Sequence, residues 1–334
     1  MTIQTYQSQR RSFLRLGTAG VATPVAGLLL GACGGGASSA LAGPRHQELA
    51  FPVIPVGKRL TAVSADGTKI AAHEYGNAAG KPILFIHGFS QSRLSWLRQF
   101  TDPQLTARYR ICTMDLRGHG ESEKPVGPYT PASHADDVHA VLQAFGISKP
   151  TIIGWSFGGL VTLDYLSAFG LSNVAKIMFV GAGFGATSTI DSAAFHGAGL
   201  TENIGPMLSA DAAENSSGTL KFLLACSAEP LTNSEVAFAL AYNMLATPQS
   251  RSACLQGRPT KPEDYDKGVM AEIRLAGLPV VALTGDKDGI VLPTSAAHIA
   301  RSTLGTLVSY PNVGHMPFLE ATARFNRDIE SLVG

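Results

Sequence analysis

The pentapeptide Gly154-Trp155-Ser156-Phe157-Gly158 most narrows the folds open to this chain. An apolar strand-like run, Thr151 to Ile153, leads straight into it, and a helix-like stretch, Phe157 to Phe169, leaves it with no loop between. A serine caught between strand end and helix start sits on a sharp, strained turn. Side chains are excluded two residues to either side, hence glycine at 154 and 158. The turn lifts the hydroxyl off the sheet beside a helix N-terminus, where free N–H groups and the dipole favour developing negative charge. Gly159 keeps the new helix close to the strand. Alone, five such residues arise by chance; in strand-turn-helix context they mark a site.

The surrounding pattern supplies that context. Arg59 to Val63 and Lys69 to Glu74 alternate around Asp66-Gly67, a hairpin signal. Pro82 to Ile86, Arg110 to Met114, Thr151 to Ile153, Lys176 to Val180, Pro279 to Leu283 and Thr306 to Tyr310 read as further strands. Helical spacing appears at Ser92 to Phe100, Pro131 to Phe145, Phe157 to Phe169, Ala296 to Ser302 and Pro317 to Leu332. In the second of these, Asp136, Asp137 and His139 are expected on the outer face, with His134 also on the surface. Alternating strands and helices imply an α/β protein with a mostly parallel sheet covered on both faces. From Gly181 to Leu278 the alternation lapses, leaving helical patches at Thr219 to Ala225 and Ser234 to Leu245. This stretch, about 182–278, reads as a helical insertion lying over the carboxyl edge of the sheet as a lid.

A serine hydroxyl becomes nucleophilic when a base takes its proton, and the base needs an orienting acid. His315, in Asn312-Val313-Gly314-His315-Met316-Pro317, follows the last strand and so reaches the same sheet edge as Ser156. After the strand Pro279 to Leu283, Asp286 and Asp288 both offer carboxylates. Asp288 is assigned as the acid, since the order serine, acid, histidine then holds; Asp286 is assigned to the turn. Oxyanion donors are expected from the backbone N–H of Phe157 and, in Ile86-His87-Gly88-Phe89, that of Phe89. His87 is expected to brace that loop.

With these residues in place, residues 60–334 resemble the α/β-hydrolase fold, in the branch of cofactor-free haloperoxidases, esterases and small lactonases. The matching motifs are His87-Gly88-Phe89, Asp115-Leu116-Arg117-Gly118-His119-Gly120-Glu121-Ser122, the serine turn, Gly285 to Val291, and Gly314-His315-Met316-Pro317. The resemblance implies hydrolysis of a carboxylic ester or lactone, with no cofactor and no metal. A carbon–carbon (β-diketone) hydrolase and perhydrolase-like chemistry use the same triad, and a non-catalytic binding protein on the scaffold is a further alternative. Serine at the turn excludes the aspartate-based dehalogenases and epoxide hydrolases. The loop around Arg117 and His119 is expected to be architectural. Phe184, Phe195, Phe222, Phe238, Tyr242, Met207 and Met244 in the lid are expected mainly to pack it on the sheet; any that face the pocket imply an apolar small-molecule substrate.

Residues 1–42 differ from the rest. Gln9-Arg10-Arg11-Ser12-Phe13-Leu14-Arg15 precedes an uncharged, modestly apolar stretch, the form of a twin-arginine export signal read by its own translocation machinery. The stretch is too short and glycine-rich for a membrane span. Leu30-Gly31-Ala32-Cys33 resembles a lipobox that would place lipid on Cys33, with the Gly/Ser run after it as a tether. Ala40-Leu41-Ala42 offers ordinary cleavage instead. Either way the expected location is the periplasm, with residues 43–59 as linker and membrane attachment only through Cys33.

Composition removes other classes. The 334 residues carry 26 basic and 25 acidic side chains, so there is no basic footprint for nucleic acid. Without the three arginines of residues 1–42 the remainder is about −2, which gives no pull toward anionic lipid. Four cysteines lack metal-ligand spacing. Cys112 reads as a core residue, while pairing of Cys226 with Cys254 is left open. No repeat of solenoid or propeller period occurs.

Overall fold

The structure, a computed structural model, describes residues 52–183, 194–256, 258 and 262–334. The expected export signal, Cys33 and Phe184 lie outside the described residues.

Eight strands form one sheet: β1 (Lys58–Val63), β2 (Lys69–Gly76), β3 (Lys81–Ile86), β4 (Tyr109–Met114), β5 (Thr151–Trp155), β6 (Lys176–Val180), β7 (Val280–Gly285) and β8 (Thr306–Tyr310). Their spatial order is β1-β2-β4-β3-β5-β6-β7-β8. The β1–β2 and β2–β4 pairs are antiparallel, and every other pair is parallel. The hairpin turns at Ser64–Thr68, with Gly67 at φ +86° and the Asp66 carboxylate accepting the Thr68 N–H at 3.0 Å.

Burial follows strand position. Central β5 is buried along its whole length, as a strand covered on both faces must be, whereas edge strands β1 and β8 are largely exposed. The chain leaves β3 toward β4 on one side and enters β5 on the other. That reversal opens a crevice beyond the carboxyl ends of β3 and β5, the place where open α/β sheets bind ligands. The segments leaving those ends are His87–Ser92 and Ser156–Gly158.

The helix Pro131–Phe145 starts from a Thr130 cap with proline at its first position and stops at Gly146, at φ +60°. It corrects one expectation. Asp137 and His134 are fully buried rather than on the surface. Arg117 donates to both Asp137 oxygens at 2.6 Å and to Asp66 at 2.8 Å, so the acid can face inward. Single-residue spacing cannot show a partner 20 positions upstream. His134 instead meets the Phe157 ring edge-on at 5.4 Å.

The expected C-terminal helix is two helices, Pro317–Glu320 and Thr322–Val333. At the break, the Glu320 carboxylate turns back to accept N–H groups of Gly314, Met316 and Ala228. Between β6 and β7 the described residues are helical, including Ala212–Ala225, Asn233–Asn243, Pro248–Cys254 and Val269–Ala276. Asp211, Thr232 and Thr247 cap the first three. An isolated bridge, His196 to Val291, is the strand-like exception. Cys112, Cys226 and Cys254 are separate buried thiols. Among the described residues no helix is long and apolar enough to cross a membrane.

Candidate active site

Ser156 stands at φ 53°, ψ −117°, a conformation that L-residues rarely adopt. Its N–H donates to the Val180 carbonyl at 2.8 Å, while its own carbonyl accepts from Gly159 at 3.0 Å. It occupies the cap position of the helix Phe157–Phe169, yet its hydroxyl caps nothing. The oxygen is therefore left for other use. A Cβ on Gly158 would lie 2.3 Å from the Ile86 carbonyl, so glycine there is a condition of bringing the turn against β3.

His315 and Asp288 are both buried, and His315 Nδ1 lies 2.8 Å from Asp288 Oδ2. The other Asp288 oxygen accepts the N–H groups of Ile290 and Val291, each at 2.9 Å. Two backbone donors thus fix the carboxylate before it meets the ring. His315 Nε2 is buried without a hydrogen-bond partner among the described residues. The His315 main chain is held on both sides: its N–H donates to the Cys226 carbonyl at 2.8 Å, and its carbonyl accepts from Trp155 Nε1 at 2.9 Å. Asp286 does not face the ring. Its carboxylate accepts the Asn312 N–H at 2.7 Å and ties the β7 turn to the loop that carries His315.

Gly181 adjoins both the strand end that holds Ser156 and the His315–Asp288 pair. This residue follows Val180, the acceptor of the Ser156 N–H, and its N–H donates to Leu283 of β7. A Cβ on Gly181 would stand 3.0 Å from His315 Nδ1 and 3.1 Å from Asp288 Oδ2.

Opposite lies the loop after β3. His87 Nε2 accepts the Leu116 N–H at 3.0 Å, so Nδ1 carries the ring proton and donates to the Gly88 carbonyl at 2.8 Å. That carbonyl also accepts from Gln91, closing a turn with Ser90 at φ 64°. The Gly88 carbonyl and the Phe89 N–H belong to one planar peptide and point in opposite directions. Fixing the first aims the second. Neither Phe89 N–H nor Phe157 N–H has a partner among the described residues. His119 completes the brace: its Nε2 accepts the Ser90 N–H at 3.1 Å and its Nδ1 donates to the Arg117 carbonyl at 2.9 Å. Burial holds His87 at about 4, while burial and then the neighbouring His87 hold His119 at about 3. Both stay neutral at ordinary pH, as bracing acceptors must.

Ser156, Phe89 and Phe157 line a small cavity of about 40 Å³ whose remaining described wall is mostly apolar. Leu200, Ile204, Phe222 and Leu255 of the helical insertion close it, so the insertion covers the serine. Phe238 and Tyr242 instead line a larger apolar cavity, about 410 Å³, bounded by Leu94 and Phe318 and not reaching Ser156. Met207 is core, Met244 is exposed, and Phe195 packs edge-on against His298. Among the described residues no cluster could hold a metal ion.

The α/β-hydrolase fold description matches residues 81–322. The chain belongs to the α/β-hydrolase family. Lipase 1 of Psychrobacter immobilis is 26% identical over 268 residues, spanning 77% of this chain and 78% of that protein. A Burkholderia cenocepacia structure described as an aryl esterase superposes with a TM-score of 0.75 at 31% identity, covering 83% of this chain and 98% of its own. The esterase RhEst1 from Rhodococcus sp. ECU1013 gives 0.73 at 29%, covering 82% and 98%. This α/β-hydrolase is an enzyme of the hydrolase class with esterase and lipase relatives.

Two contributors to the site escape sequence reasoning: Gly181 and Ser90. Gly181 was detectable in principle as a glycine ending a strand. Ser90 carries no such signal, because positive φ at serine contradicts local preference.

Proposed function

We propose that this α/β-hydrolase cleaves a carboxylic ester or lactone through an acyl-enzyme on Ser156. The observation that carries the reading is the His315–Asp288 bond at 2.8 Å together with the unpartnered Nε2 on the same ring. A base oriented at one nitrogen and vacant at the other fits a role beside an uncommitted serine hydroxyl. Ser156 Oγ attacks the carbonyl carbon while His315 Nε2 takes its proton. The oxyanion is received by the N–H groups of Phe89 and Phe157, each contributing about 3 kcal/mol to the transition state. Asp288 keeps the ring proton on Nδ1 and stabilises the imidazolium. His315 then returns the proton to the departing alcohol, and a water deprotonated by His315 releases the acid. The apolar cavity at Ser156 favours an apolar group on the substrate.

Fluorophosphonate labelling of the purified protein, with peptide mapping, tests this. Phosphonylation of Ser156 in the native protein and its loss in His315→Ala are expected. Native protein left unlabelled would overturn the reading. Hydrolysis of esters and lactones, with β-diketones as the competing arm, then separates the bond cleaved.

The enzyme is also proposed to be exported by the twin-arginine route and lipidated at Cys33, on the strength of Arg10-Arg11 and Leu30-Gly31-Ala32-Cys33. Intact mass of the mature N-terminus decides this: a diacylated Cys33 supports it, and a chain starting at Gly43 replaces lipidation with simple cleavage.

A further inference from the structure

Arg251 has no exposed surface, yet its guanidinium meets no carboxylate among the described residues. Nη1 donates to the Met207 carbonyl at 3.0 Å and to Asn215 Oδ1 at 3.2 Å, and Nη2 donates to the Asn243 carbonyl at 3.0 Å. The third nitrogen, Nε, donates to Ser90 Oγ at 2.9 Å. Burial lowers the group to about 10, so it stays a cation at neutral pH.

A buried cation without an anion is a costly way to join helices. Within the insertion Asn215 already joins two of these helices without a charge, donating to the Met207 carbonyl at 2.6 Å. What arginine adds is a rigid planar fork able to hold three helical segments with one edge and a fourth element with Nε. That element is the turn Gly88–Gln91. Ser90 occupies the turn position where positive φ normally calls for glycine. Its two anchors are His119 on the N–H and Arg251 on the hydroxyl. Gln91 adds an amide pair with Asn243, two bonds of 3.1 Å, from the same turn to the same insertion.

We propose that Arg251 is a positioning residue for catalysis: through Ser90 Oγ it holds the Gly88–Gln91 turn so that the Phe89 N–H faces the developing oxyanion. This rests on the acyl-enzyme reading above. Because Arg251 acts through Ser90, losing either end of the bond has the same consequence, and losing both adds nothing.

The test is a cycle of Arg251→Met, Ser90→Ala and the double variant, assayed with p-nitrophenyl acetate and with the fluorophosphonate. Each single variant is expected to lower kcat and the phosphonylation rate roughly 10- to 100-fold while KM stays within about twofold. The double variant is expected to fall no further than the worse single. A helix-joining role alone would instead lower the melting temperature and leave kcat of the folded fraction unchanged. Wild-type kcat in Ser90→Ala overturns the proposal, as do losses that multiply in the double variant. Should Arg251→Met fail to fold, Ser90→Ala alone decides. Absence of label on the native protein defeats the acyl-enzyme reading itself; a labelled native protein with an undiminished Ser90→Ala defeats only this inference.

Discussion

Gly181 stands so close to His315 that a Cβ on it would lie 3.0 Å from Nδ1, with Asp288 Oδ2 only 3.1 Å away. The residue is also held at φ +49°. Gly181→Ala therefore meets two penalties. Forcing alanine into the left-handed region costs about 1–2 kcal/mol. The methyl group also pushes the imidazole and carboxylate apart, and displacements well under 1 Å at such a bond are felt in rate. Urea denaturation is expected to show the first, and a fall in kcat of at least ~10-fold the second. Unchanged kcat would mean that the pair tolerates spreading.

Ser156 supplies a test of stored strain. Its φ of 53° would be relaxed by glycine but not by alanine. Both Ser156→Gly and Ser156→Ala are expected to lose hydrolysis. Strain release of roughly 1–3 kcal/mol, offset by about 0.5–1 kcal/mol of chain entropy, leaves the glycine variant the more stable. A glycine variant that unfolds at lower urea than the alanine variant would show that the turn is unstrained.

Asp288→Asn examines the orientation of His315. With Ile290 and Val291 still donating to the side-chain oxygen, the new amide presents N–H to the ring. Nδ1 must then accept, which moves the ring proton to Nε2 and blocks uptake from Ser156. A loss of about 10⁴ in kcat with a nearly unchanged melting temperature is expected. A loss below tenfold would mean that His315 is held by something else.

His119 predicts a pH effect. Burial first, then His87, Arg251 and Lys124, keep its folded-state pKa near 3, below the unfolded value of about 6.5. The unfolded chain therefore binds the extra proton between those values, and the stability linked to neutral His119 is complete above about pH 6.5 and is lost as pH falls toward 3. The advantage of wild type over His119→Gln is expected to shrink by roughly 1 kcal/mol per pH unit across that window. A difference independent of pH would contradict a buried neutral ring.

The turn at Ser156 was legible because it is local, and the pairing of His315 with Asp288 rather than Asp286 because chain order brings both to one sheet edge. A glycine pair flanks the serine, and a histidine follows the last strand. Asp286 bonding to Asn312 and Asp288 to His315 follow from positions within one turn. Asp137, His134 and Arg251 were not legible. Their burial depends on partners brought in by the fold, Arg117 for the first and, for the last, the Met207 and Asn243 carbonyls with Asn215 Oδ1. Hydrophobic spacing assigns charged residues to the surface, and only three-dimensional pairing reverses that. The division of the C-terminal helix was hidden for the same reason, since Glu320 turns back to donors on two separate segments.

The two bonds on the His315 main chain, one to Trp155 beside the serine and one to Cys226 at the end of a covering helix, give heat a particular order of damage. The strand that carries Trp155 is buried along its whole length, and the insertion holds the other tether. If the helix ending at Cys226 loosens first, His315 drifts while the strands are still intact. Warming would then silence the enzyme some degrees before its circular dichroism changes, and cooling would restore it without refolding.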